Sequence, residues 1–209
     1  MHIHSTLFRR SFVISSILLG SLSLLFTLAA CSAGGLGGSS GPGTPTPTPV
    51  VKLTMYQAKT FSIGYPNAWN ATNDDSYVTA LPGAESASFD EESTTVIVES
   101  VPDTSHKPAS LFLTSITDHL SAATLHDSKP ANLPPTIKVG QETWLQRGDT
   151  GDGGSNGVKL PEKITCLANY HAPNNYLYGI CLITPTGSLG RDPAIDGKFQ
   201  AMLNSFQFK

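Results

Sequence analysis

Ile164-Thr165-Cys166-Leu167-Ala168-Asn169-Tyr170-His171, Ala172-Pro173-Asn174-Asn175 and Tyr176-Leu177-Tyr178-Gly179-Ile180-Cys181-Leu182-Ile183-Thr184 follow one another without a break, and this stretch decides the fold. Its outer segments alternate with the two-residue period of a strand, and the four residues between them are turn formers. Folded symmetrically about that turn, Tyr170 faces Leu177, Ala168 faces Gly179, Cys166 faces Cys181 and Ile164 faces Ile183. One register therefore assembles an apolar face and sets the two sulfurs opposite each other. A narrow, non-hydrogen-bonded pair brings the Cβ atoms near enough to bridge, so a Cys166–Cys181 disulfide is expected. Closing a loop of this length contributes about 3 kcal/mol through the unfolded chain. The chain has no Cys-x-x-Cys motif, which argues against a redox centre.

Working outward, Leu53–Ala58 and Thr60–Tyr65 read as short strands with a turn at Pro66-Asn67. Tyr77–Leu81 is a third candidate, closed by Pro82-Gly83. Thr94–Val101 is rich in β-branched residues and apolar on both faces, the pattern of a central strand. Pro108–Leu125 switches period: Phe112, Ile116, Leu120 and Ala123 fall on one helical face, with Pro108 suited to the first turn. Strands resume at Thr136–Val139 and Thr143–Arg147, and Gly148–Gly157 reads as a Gly/Asp/Asn loop. The chain closes with Asp192-Pro193 as a helix start, then Ile195, Phe199, Met202, Leu203 and Phe206 at helical spacing. Gly197 weakens that helix by about 1 kcal/mol relative to Ala. Hairpin-like strand runs with one helix in the middle and one at the end make the class α+β, an antiparallel β-sheet flanked by helices.

The first fifty residues are of another kind. Met1–Arg10 carries Arg9 and Arg10 and no acid, and an apolar run from Phe12 to Ala30 follows, the order of a secretory signal. Leu28-Ala29-Ala30-Cys31 resembles the bacterial lipobox, which separates a lipoprotein signal from a plain membrane span. That resemblance implies cleavage before Cys31, a diacylglyceryl group on its thiol and often an acyl chain such as palmitate on its amine. Two or three chains anchor firmly where one does not, since each buried CH₂ adds about 0.8 kcal/mol. Residues 31–51 then form a tether, a flexible Gly/Ser half followed by a stiffer Thr/Pro half from Thr44 to Pro49. Residues 1–30 are thus read as signal peptide, 31–51 as lipidated Cys and tether, and 52–209 as a single globular domain. Export is the setting in which a disulfide persists.

Thr60-Phe61-Ser62-Ile63-Gly64-Tyr65-Pro66 with Trp69 resembles the F-S-I-x-Y-P-x-x-W opening of the PsbP-like domains. Phe199-Gln200-Ala201-Met202-Leu203-Asn204-Ser205-Phe206 is similar to their final helix and S-F ending, and the resemblance spans residues 53–208. It implies an α/β/α sandwich and a non-enzymatic role: members in photosynthetic organisms are extrinsic proteins that help assemble or stabilise a membrane complex, and many bacterial members are lipoproteins. Nothing in the sequence speaks for photosynthesis, so that role is not carried over. Phe61, Ile63 and Tyr65 alternate on one strand face and Trp69 lies past the turn, so all four are expected to be packing residues.

Catalytic motifs are sparse. Gly-x-Ser-x-Gly, His-Glu-x-x-His, a Gly-rich phosphate loop and a dinucleotide fingerprint are absent. The arguable ion site is the Gly148–Gly157 loop, where Asp149, Asp152 and Asn156 offer the oxygen ligands calcium prefers, without the distal Glu of an EF-hand. Gly, Asp and Asn are equally the residues of ordinary turns. His106, His119, His126 and His171 are dispersed, which argues against zinc. Asp90-Glu91-Glu92 reads as a solvated loop, and Asn70-Ala71-Thr72 matches a glycosylation sequon that a bacterial lipoprotein gives little reason to use. Two of the thirteen basic residues lie in the signal, leaving eleven against sixteen acidic ones, a net charge of −5 that argues against nucleic acid. The expectation is an extracytoplasmic, lipid-anchored binding or assembly module for an envelope protein or small ligand, with no cofactor. The alternatives are an extracytoplasmic hydrolase with a site built from scattered residues, or an ion-binding module at Asp149 and Asp152.

Overall fold

The computed structural model of the chain describes residues 51–73, 81–154, 159–187 and 192–209. In chain order these form β1 (Leu53–Gln57), β2 (Phe61–Pro66), β3 (Asn70–Asn73), β4 (Glu85–Glu91), β5 (Thr94–Pro102), α1 (Ala109–Thr124), β6 (His126–Pro130), β7 (Thr136–Val139), β8 (Glu142–Gly153), β9 (Leu160–His171), β10 (Tyr176–Pro185), α2 (Ile195–Ser205) and β11 (Gln207–Phe208). Strands β3-β4-β5-β10-β9-β8-β6 lie side by side in one antiparallel sheet, with β7 also paired to β8; β1-β2-β11 make a second, three-stranded sheet. The class is α+β, as expected. The signal, the lipobox and most of the tether, together with Tyr77–Ala80 and Asn156, fall outside the described residues.

The β9–β10 hairpin is the spine of the large sheet, and its register is the expected one: Tyr170 opposite Leu177, Ala168 opposite Gly179, Cys166 opposite Cys181, Ile164 opposite Ile183. The two cysteines are bridged, and their Cα atoms stand 4.1 Å apart, the separation of a narrow pair. Asn175 ends the turn at φ 59°, a conformation that Asn tolerates better than most residues, and its N–H donates to His171 O at 3.0 Å.

Alternation along the hairpin distributes its side chains to two cores. Tyr178, Ile180, Leu182 and Leu167 point to one side, where Ile195, Phe199, Met202 and Leu203 of α2 and Phe61 and Ile63 of β2 meet them. Ile164, Cys166, Ala168, Cys181 and Ile183 point to the other, under Leu113 and Ile116 of α1. Helices thus cover both faces of the large sheet. At Gly179 α1 presses close to the sheet, since a Cβ there would lie 3.0 Å from Ile116 Cδ1 and 3.1 Å from Phe112 Cε1. Full burial of each large side chain, Trp144, Tyr178, Phe61 and Phe89 among them, contributes about 1.5–3 kcal/mol. Trp69 is buried as expected, and Tyr65 packs against the same core half-buried.

Four local expectations are corrected. Gly148–Gly153 is strand, the second half of β8, because its glycines serve close approach instead of turning. A Cβ at Gly148 would sit 2.2 Å from Ile164 O, and one at Gly151 would sit 2.7 Å from His126 O. The face α1 buries is broader than the expected one: Ile116 is buried and Phe112 and Leu120 pack half-buried against the same core, but Ala123 is exposed. Leu113, Thr117 and Ser121 are buried beside them, Ser121 donating to Asp149 and Thr117 to Leu113 O. Asp90 and Glu91 end strand β4 with bonded carboxylates, and are no solvated loop. Helix α2 begins at Ile195, since Asp192 spends its side chain on Ala194 N–H in a preceding turn. Among the described residues no helix is long and apolar enough to cross a membrane.

Candidate binding cleft

The candidate ion ligands do not converge. On β8, Leu145, Arg147 and Asp149 share the parity that faces α1; Trp144 and Asp152 share the other. Asp149 is buried, accepting a 2.5 Å bond from Ser121 Oγ, while Asp152 lies on the far face with Lys159 Nζ at 3.3 Å. Strand geometry alone keeps the two carboxylates from sharing an ion. Among the described residues no cluster of three His, Cys, Asp or Glu side chains is placed to hold a metal.

A cleft that the sequence reading did not foresee lies beside the N-terminal half of α1. It encloses about 540 Å³, within the range of roughly 300–1,000 Å³ typical of small-molecule sites. Its floor is Val101 and Leu177, directly paired across β5 and β10, with Phe112 of α1 as one wall. Leu81 and Leu111 stand on the rim, 50% and 58% exposed, the most exposed large apolar side chains among the described residues.

Local chemistry holds each wall. Leu81-Pro82-Gly83-Ala84 is a turn closed by Ala84 N–H to Leu81 O at 3.0 Å, with Gly83 at φ +83° after the proline, the order a type II turn requires. Tyr176 Oη donates to Gly83 O at 3.3 Å and ties this turn to β10. The opposite wall, the link from β5 to α1, folds around Asp103. Its buried carboxylate accepts from Ser105 N–H at 3.3 Å and Lys107 N–H at 3.1 Å. Asp103 N–H donates to Asn175 O and Asn175 Nδ2 donates to Asp103 O, both at 2.9 Å, so the hairpin turn grips this link as well. His106 in the same link stands at φ 50°, a conformation uncommon outside glycine and maintained only where the surroundings fix it.

Two polar networks lie elsewhere and brace the fold. Lys198 of α2 reaches Glu91 at 2.6 Å and Asp192 at 2.8 Å, and Trp69 Nε1 donates to Glu91 at 2.6 Å. Burial pushes the Lys198 ammonium down, but the bonds and charges of Asp192 and Glu91 outweigh it and hold the group above its ordinary range. Glu85 accepts from Thr60 N–H, Thr60 Oγ1 and Lys59 N–H. Burial pushes this carboxyl up, yet those bonds and the nearby Lys59 charge leave it below the ordinary carboxylate range. Neither network lines the cleft.

No family model matches the chain, and no curated protein matches it. Among solved structures it is similar to a protein of Bacteroides thetaiotaomicron VPI-5482, at 14% identity and a TM-score of 0.44 over 71% of this chain. The chain spans 45% of that protein's length. It is also similar to the Ran-binding protein Mog1p of Saccharomyces cerevisiae, at 10% identity and a TM-score of 0.47, covering 76% of this chain and 96% of that one. A point mutant of protein Mog1 gives 9% identity, a TM-score of 0.48, and coverage of 76% and 95%.

Proposed function

We propose that the chain is an extracytoplasmic lipoprotein, held to a bacterial membrane by lipid on Cys31, whose PsbP-like domain is a non-catalytic binding or assembly module. The cleft between α1 and the β5–β10 floor is its binding site. The observation that carries the binding role is the pairing of that cleft with the two most exposed leucines of the described chain on its rim. Apolar side chains in that setting lose water only when something covers them, which is how recognition surfaces gain affinity. Leu28-Ala29-Ala30-Cys31 supports the anchoring, and the Cys166–Cys181 bridge suits a compartment outside the cytoplasm. Leu111→Glu in the full chain, expressed in its native envelope and cross-linked, tests the binding role. The variant should fold with an unchanged melting temperature and lose the cross-linked species or ligand that wild type retains. Retention of the same species at wild-type yield would overturn it.

A further inference from the structure

We propose that the cleft takes the hydrocarbon chain of a single-chain carboxylate amphiphile, of the fatty-acid class, with the carboxylate held at Lys107 and the start of α1. The proposal rests on the cleft being the binding site and names what occupies it.

Charge selects the headgroup. Asp103 and Lys107 are the charged residues lining the cleft, and they are not equivalent. The Asp103 carboxylate is buried and already accepts two backbone N–H groups, whereas Lys107 is exposed and bonds through its backbone N–H alone among the described residues. Helix α1 begins immediately after it, capped by Pro108 with no side-chain hydrogen bond and with no acidic residue in its first turn. The dipole of that sixteen-residue helix therefore adds to the ammonium, while the opposing Asp103 carboxylate is held by the Ser105 and Lys107 N–H groups. At that end of the apolar cleft the exposed charge is thus the Lys107 ammonium.

The sheet selects the tail. An extended peptide laid on Val101 and Leu177 would need partners for its own N–H and C=O groups, and it normally finds them on a free strand edge. Here β5 is paired on both sides, to β4 and β10, and β10 to β5 and β9. At the floor itself Leu177 is paired on both sides and Val101 to β10; β4 ends opposite Ser100, and beyond it the Leu81–Ala84 turn lies beside Pro102, where a Cβ on Gly83 would be 3.0 Å from Pro102 Cγ. An alkyl chain brings no backbone groups to satisfy, and its methylenes match Leu81, Val101, Leu111, Phe112 and Leu177.

Titration calorimetry of the full chain with octanoate, decanoate and dodecanoate, each below its micelle threshold, tests this. Any lipid on the chain itself is common to all variants and cancels in the comparison. The expected result is saturable 1:1 binding whose Kd falls about fourfold per added methylene. Dodecyltrimethylammonium should bind at least tenfold more weakly than dodecanoate. Lys107→Glu should abolish or reverse that preference, and Leu111→Glu should weaken dodecanoate at least tenfold, both at unchanged melting temperature. Non-saturable binding, equal affinity for the two headgroups, or indifference to Lys107→Glu would overturn the proposal. If dodecanoate fails to bind while Leu111→Glu still removes a cross-linked envelope protein, the amphiphile is wrong and the cleft remains a protein site. If Leu111→Glu changes neither, the cleft reading falls with it.

Discussion

Breaking the Cys166–Cys181 bridge should lower stability by an amount that the topology sets. The bridge joins residues 15 apart in sequence, and in the chain-entropy account a loop of that length restricts the unfolded chain by about 3 kcal/mol. A domain of about 160 residues has an unfolding entropy near 330 cal/mol/K, so the loss corresponds to a melting temperature lower by about 9 °C. The native structure should survive at room temperature. Ile164/Ile183 and Ala168/Gly179 hold the same register on either side of the bridge, and Leu113 and Ile116 of α1 cover that face. The assay is urea unfolding of the full chain, oxidised and reduced, followed by circular dichroism, with Cys166→Ala/Cys181→Ala in parallel. Reduction should shift the midpoint by the equivalent of about 3 kcal/mol and raise the urea dependence, because the freed chain exposes more surface. The double variant should fall somewhat further, since both sulfurs are buried and their loss leaves a void. A shift under about 1 kcal/mol with unchanged urea dependence would refute the entropic reasoning. Loss of the native spectrum at room temperature would refute the claim that apolar layers hold the register without the bridge.

Other outcomes follow from single positions. Gly148→Ala should cost about 3 kcal/mol or leave no soluble protein, because its Cβ would meet Ile164 O of the paired strand, which has no room to retreat; a urea midpoint and expression yield read this. Gly197→Ala should do the opposite, stabilising by about 1 kcal/mol in the same assay, since nothing lies within 4 Å of the added methyl in α2. Lys198→Met should cost about 1 kcal/mol in thermal unfolding, discounted for partial exposure, and should redden Trp69 emission as Glu91 loses its cation. The lowered Glu85 carboxyl contributes stability that is fully present above the ordinary carboxylate range and is lost as pH falls through its depressed folded value. Glu85→Gln should therefore be less stable than wild type at neutral pH, with a gap in urea titrations that narrows as pH falls through the depressed folded value.

The features legible in the chain's own pattern are local. The alternation on either side of Ala172–Asn175 specified the β9–β10 register and with it the disulfide, because a one-residue slip would have turned every apolar side chain to the wrong face. The periods of α1 and α2, the Pro82-Gly83 turn and the α+β class were legible for the same reason: each is set by neighbours within a few residues. Glycine-rich 148–153 was misread because glycine serves turns and close contacts alike. Only the carbonyl of Ile164, reached through the β8–β9 pairing, shows which applies here. The buried face of α1 likewise depended on Asp149, 28 residues beyond Ser121, which recruits a polar side chain into the core. The ion-ligand pattern failed because Asp149 and Asp152, three apart on a strand, face opposite ways, and nothing local marked that stretch as strand. The cleft was invisible for a deeper reason. Its floor, walls and rim come from segments around residues 81, 101, 111 and 177, joined only when β5 and β10 pair and α1 settles against Gly179. Short-range pattern carries the strands and helices; the site exists only where long-range pairing brings their ends together.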